Sequence, residues 1–182
     1  MFDQAFKGKG LISSEVGYAG GKAENPTYRQ VCSGATGHAE ACKLDFNPQE
    51  LAYAELVEFF YRSHDPTDPG GQGPDRGSQY RSVIFPTSDE QMSTAEAVTK
   101  EVQDKYYPKK KIATQILLAS DHVWYSGEEY HQKYLDNNVG LIRSLRIPVQ
   151  TDDPVSSHLA TNVRATNCIG SIILSSKCMP RW

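Results

Sequence analysis

The alternation of hydrophobic period along the chain constrains its fold more than any other feature. Residues 11–18 and 38–46 carry strand-like patterns, and at Asn47 the period changes to that of a helix. Asn47-Pro48-Gln49-Glu50 offers an N-cap, a proline at the first helical position and an acid two residues on. A helix is therefore expected to about residue 63, with Leu51, Leu56, Val57 and Phe60 facing the core. A strand at 80–85 follows, then a helix from the Ser88 cap to about Tyr106, then a strand at 112–119. The capping box Ser126-Gly127-Glu128-Glu129 predicts a further helix over 128–135. At the start, Phe2 and Phe6 stand at i and i+4 and read as the last turns of a helix stopped by Gly8 and Gly10. The order β, β, α, β, α, β, α implies helices packed on a small mixed sheet.

Three stretches lack a periodic pattern. Residues 22–37 read as a loop built around Asn25-Pro26, Gly34 and Gly37. Residues 64–79 hold three prolines and four glycines, and an irregular segment of that length in a compact domain is often functional. From about residue 139 to 182 the patterns weaken and Ser and Thr multiply, so this part is expected to be a divergent, partly disordered tail carrying Cys168 and Cys178. Residues 1–138 then form the one domain that 182 residues can supply.

Charge narrows the function classes. A net charge of −3 gives no bias toward polyanions, which argues against a dedicated nucleic-acid binder. No apolar run approaches the roughly 18 residues of a membrane span, and the first residues lack the basic and apolar regions of a secretory signal. Four cysteines are too few for a disulfide scaffold, so a reducing, cytoplasmic setting is expected. With no interface pattern, a monomer is the expectation.

Chemistry-bearing residues concentrate in two loops. Residues 28–40 place Tyr28, Cys32, His38 and Glu40 among small residues that let a ligand approach the backbone. Burial between Ala39 and Ala41 would keep Glu40 protonated, and a neutral carboxyl can donate a hydrogen bond to an oxygen that gains charge. An ion pair across the sheet is the ordinary alternative for such a residue. Residues 72–81 offer Asp75, Tyr80 and two arginines at the mouth of a strand. There a local turn bond for Asp75 and simple ring packing for Tyr80 compete with a catalytic role. Cys32 is a candidate nucleophile, although spacing alone does not place a positive neighbour beside it, and a cysteine in such a loop is more often inert and half buried. His131 reads as a partner for loop backbone. Gly70-Gly71-Gln72-Gly73 lacks the Lys-Ser/Thr of a phosphate loop, and Cys32, His38, Cys42 and His64 are spaced too widely for a typical structural zinc site.

Taken together, these segments resemble the methionine sulfoxide reductase A family of peptide-methionine (S)-S-oxide reductases. The matching words are Gly17-Tyr-Ala-Gly-Gly21, Pro26-Thr-Tyr28, Val31-Cys-Ser-Gly-Ala-Thr-Gly-His-Ala-Glu40 and His64-Asp-Pro-Thr67. They continue through Gln72-Gly-Pro-Asp75, Gly77-Ser-Gln-Tyr-Arg-Ser82 and Glu129-Tyr-His-Gln-Lys-Tyr-Leu135, in the family's order. The resemblance implies an α+β two-layer sandwich, helices on a mixed sheet, and thiol-driven repair of oxidised methionine. By position Glu40 matches the family's proton-donating acid, Tyr28 and Tyr80 the hydroxyls that bind the sulfoxide oxygen, and Asp75 the second carboxylate. No metal or organic cofactor is implied. The implied partners are oxidised proteins or free methionine S-sulfoxide, with thioredoxin as reductant.

This chain departs from the family in two places. The family's nucleophile lies in a Gly-Cys-Phe-Trp-Gly word just before the segment matching Met1-Phe2-Asp3, and the 182 residues contain no such word. The expectation is a sheet without its first strand, leaving an edge or gap, and an enzyme impaired for want of its thiol. A lost N-terminal targeting signal is compatible with that picture. The alternative is a catalytically inactive remnant that binds methionine sulfoxide. After residue 138 the family's pattern also ceases, and neither Cys168 nor Cys178 matches a resolving motif, although either could serve as a resolving thiol.

Overall fold

The computed structural model describes residues 1–133 and 170–175. Two layers are present: a six-stranded mixed sheet and, against one face, helices α1 (Phe2–Phe6), α3 (Tyr53–Arg62) and α4 (Asp89–Tyr106). The sheet's strands are β1 (Leu11–Ala19), β2 (Ala39–Phe46), β5 (Val83–Phe85), β6 (Gln115–Ile116), β7 (Tyr125–Ser126) and β8 (Gly170–Ser175), in the order β6-β5-β8-β2-β1-β7. Only β5 and β6 run parallel; the other pairs are antiparallel. A hairpin of β3 (Gly71–Gln72) and β4 (Asp75–Arg76) and a short helix α2 (Tyr28–Cys32) complete the elements that carry the site.

The core follows from the two periodicities. In β2, Cys42, Leu44 and Phe46 share one face and meet the helices. Ala39 and Ala41 point to the other face, against Ala19, Val83, Phe85 and Ile173. Helix α3 buries Leu56, Val57, Phe60 and Tyr61, and α4 buries Ala95, Val98 and Val102. The i, i+4 pair Phe2 and Phe6 packs on Phe59, with ring centroids 5.1 and 5.2 Å away. As expected, Ser88 caps α4, its hydroxyl accepting from the Gln91 amide.

Local readings fail where tertiary contacts take over. Helix α3 starts at Tyr53, because residues 48–51 form a turn on the Asn47 carbonyl that buries Leu51 and leaves Ala52 extended. The loop expected at 22–37 contains α2, held by a capping box between Thr27 and Gln30. Tyr80 lies in a 3-10 turn over Ser78–Tyr80, and the strand proper is Val83–Phe85. The expected strand at 112–119 shortens to Gln115–Ile116. In place of a helix at 128–135 there is one 3-10 turn, Glu129–His131; the Ser126 hydroxyl bonds Glu15 instead of capping, and residues 134–135 lie outside the described part.

The largest correction concerns the sheet's centre. No gap separates β2 from β5: β8 fills the place, pairing Leu174 with Cys42 and with Ile84. These six residues come from the stretch expected to be a tail, and Ile172 and Leu174 are fully buried. The rest of 139–182, with Cys168 and Cys178, lies outside the described residues.

Candidate functional site

The site forms where β2 begins. Glu40, the second residue of β2, is paired with Tyr18 of β1 and only 1% exposed. Its backbone carbonyl accepts from the Ser175 hydroxyl at 2.6 Å, and that oxygen also lies 3.2 Å from the Arg81 carbonyl. Ser175 thus ties the strand of Glu40 to the turn of Tyr80. A second tie comes from Gln79, whose amide nitrogen donates to the Cys32 carbonyl at 3.2 Å and joins that turn to α2.

Glu40, Tyr28, Cys32 and Tyr80 converge, each interacting electrostatically with the other three. The Cys32 thiol points at Glu40, with 4.0 Å between Sγ and Oε1. Burial raises the Tyr28 and Tyr80 hydroxyl pKa values and nearby Glu40 adds to this, so both phenols stay protonated and able to donate. Burial likewise pushes the Cys32 thiol up; a hydrogen bond from Tyr28 pulls it back, while Glu40 and Glu128 push further.

Asp75 is fully buried on β4, five residues before Tyr80 in the chain. Its hairpin depends on Gly71 at φ +141°, where an added Cβ would fall 2.1 Å from the Asp75 carbonyl oxygen. The 64–79 segment has no periodicity because side-chain bonds to backbone hold it. Gln72 both accepts from the Asp65 amide at 3.0 Å and donates to the Asp65 carbonyl at 2.9 Å.

Sequence reasoning missed Glu128. One carboxylate oxygen accepts from the Tyr18 hydroxyl at 2.5 Å and the other from the Tyr28 amide at 2.8 Å, fixing the start of α2 to β1. Burial raises its pKa, but those bonds and nearby His131 hold it below the usual carboxylate range. Only the capping reading drew attention to this residue, and it gave the wrong role. His131 is buried with its ring centroid 4.5 Å from that of Tyr28. His64 bonds the Phe60 carbonyl and Ser82, and Cys42 belongs to the core. Among the described residues, no group of three or more His, Cys, Asp or Glu side chains could hold a metal ion.

A two-layer α+β fold whose sheet ends in a buried carboxyl, two protonated phenols and a thiol defines a small acid–thiol centre. The family model for peptide methionine sulfoxide reductase matches residues 1–162. A Schizosaccharomyces pombe protein described as "Probable peptide methionine sulfoxide reductase" is 48% identical over 128 residues, covering 70% of this chain and 74% of that one. A "Peptide methionine sulfoxide reductase MsrA" of Ligilactobacillus salivarius is 48% identical over 138 residues, 76% of this chain and 79% of its own. Among solved structures, Mxr1 of Saccharomyces cerevisiae in reduced form aligns with a TM-score of 0.69 at 34% identity, covering 81% of each chain. Methionine sulfoxide reductase A of Corynebacterium diphtheriae aligns with a TM-score of 0.68 at 31% identity, over 92% of this chain and 78% of that one. The chain belongs to the peptide methionine sulfoxide reductase family, and is by that membership an oxidoreductase.

Proposed function

We propose that this protein reduces methionine S-sulfoxide, free or within oxidised proteins, at the expense of thiols. One sulfoxide and two thiols yield one thioether, one disulfide and one water. The observation that carries the reading is the convergence of buried Glu40 with Tyr28, Tyr80 and Cys32. A sulfoxide oxygen gains basicity as its sulfur is attacked, so it needs a proton donor and fixed hydrogen-bond donors in a dry site. In this reading Glu40 donates the proton, Tyr28 and Tyr80 bind the oxygen, and Asp75 supports the hairpin leading to Tyr80. Thioredoxin supplies electrons in a cytoplasmic setting, the protein acts as a monomer, and residues 1–138 supply the reacting groups, with Ser175 of β8 helping to position them.

Separate incubations with the S and R epimers of a methionine sulfoxide peptide, in excess dithiothreitol, test this. Consumption of the S epimer alone is expected; equal consumption of both epimers, or of neither, overturns the proposal.

A further inference from the structure

We propose that Glu128 is a positioning residue for sulfoxide reduction: by holding the Tyr28 amide it sets the place of the Tyr28 phenol. This rests on the reading just given, in which Tyr28 binds the sulfoxide oxygen. Tyr28 is the first residue of α2, a helix of five residues. So short a helix does not hold itself, because nucleating a single turn is unfavourable. Its first amide also has no carbonyl within the helix to bond. The Thr27 hydroxyl accepts from the Gln30 amide instead. Glu128, 100 positions along the chain, takes the Tyr28 amide, with Oε1 accepting at 2.8 Å.

Glu128 can do this because it is itself clamped. Its Oε2 accepts from the Tyr18 hydroxyl of β1 at 2.5 Å. Burial opposes its charge, but the bonds from Tyr18 and Tyr28 outweigh burial and keep it ionised, which strengthens both bonds. Gln132 fastens the turn that carries it. The Gln132 side-chain oxygen accepts from the Val16 amide at 3.0 Å, and its nitrogen donates to the Val16 carbonyl at 2.9 Å and the Gly127 carbonyl at 3.0 Å. The Gly127 amide donates to the same Val16 carbonyl at 2.9 Å. This turn also brings the buried His131 ring against Tyr28, so Tyr28 is gripped at its amide and at its ring. Tyr18 stands opposite Glu40 in the β1–β2 pair. The acid and the phenol are therefore indexed on one pair of strands, the phenol through Tyr18, Glu128 and the Tyr28 amide. The oxygen bonds most strongly to the phenol as its charge develops, so a displaced phenol lowers kcat more than it raises KM.

A double-mutant cycle of Glu128→Gln and Tyr28→Phe tests it, using the full chain, an S-sulfoxide peptide, excess dithiothreitol and circular dichroism as a check on folding. Glu128→Gln keeps the shape of the side chain but leaves one oxygen to accept where two are needed. Its kcat should fall by about 10-fold or more, with KM changed by less than about 2-fold. In the Tyr28→Phe background the same change should cost less than about 2-fold, because the hydroxyl it would misplace is already gone. Tyr18→Phe frees one oxygen of Glu128 and keeps its charge; it should show the same pattern with a smaller loss, and it carries the test if Glu128→Gln does not fold. Losses of equal size with and without the Tyr28 hydroxyl overturn the role of Glu128 and leave sulfoxide reduction standing. A folded parent chain that consumes no S epimer overturns the reduction and the role of Glu128 together.

Discussion

His64 is the group through which acid should loosen this protein, and the size of the effect can be worked from its surroundings. The ring lies between α3 and β5. Nδ1 donates to the Phe60 carbonyl at 2.7 Å, so Nε2, 2.7 Å from the Ser82 hydroxyl, accepts from it in the neutral ring. Ser82 Oγ lies 2.8 Å from Thr114 Oγ1, from which it then accepts. Burial pushes the imidazole pKa down to about 4, outweighing the Phe60 carbonyl and Asp65, which favour the charged form. In an unfolded chain histidine titrates near 6.5. The folded pKa is the lower one, so the unfolded state binds more protons as the pH falls between the two values. The contribution is therefore intact above about pH 6.5 and is lost as the pH falls toward 4. At about 1.4 kcal/mol per unit, the loss is about 2 kcal/mol by pH 5 and about 3 kcal/mol by pH 4. Urea unfolding at about pH 7.5 and about pH 5, for the parent and His64→Gln, isolates this share from other titrating groups such as His38 and His131. The parent should lose about 2 kcal/mol more than the variant over that interval. Equal losses would refute the reasoning.

Two further outcomes follow from the elements that hold the site. Ser175→Ala removes the hydroxyl that links the Glu40 and Arg81 carbonyls; it should cost about 1–3 kcal/mol in urea unfolding and lower S-sulfoxide turnover. Gly71→Ala forces a side chain onto the Asp75 carbonyl at a backbone angle that favours glycine. It should destabilise by at least about 1–3 kcal/mol, and an unchanged thermal midpoint would show that the hairpin can give way.

Much of this architecture was readable because it depends on local pattern. The Ser88 cap and the α4 stripe are local, as are the strand pattern of β1 and the i, i+4 phenylalanines of α1. What escaped depends on distant partners. Strand β8 is a short apolar run flanked by serines, and nothing local says that Leu174 will lie between Cys42 and Ile84. Helix α2 is five residues long, and its signal, Thr27 followed three residues later by Gln30, was present but masked by the surrounding glycines. Glu128 resembled a first-turn acid; its carboxylate instead spans to Tyr18 and Tyr28, more than 90 positions away. Of the four residues given site roles by resemblance, Tyr28, Glu40 and Tyr80 come together, and Asp75 is buried in the hairpin that leads to Tyr80. Spacing alone could not place Cys32 beside Glu40, because their approach is set by α2 docking over the start of β2.

The central claim is that Glu40 supplies the proton on which sulfoxide reduction depends. Glu40→Gln keeps the size and polarity of the side chain and removes its acid function. With the S-sulfoxide peptide, excess dithiothreitol and circular dichroism as a check on folding, its rate should fall by about 100-fold or more. A folded Glu40→Gln variant that reduces the S epimer as fast as the parent would contradict the account.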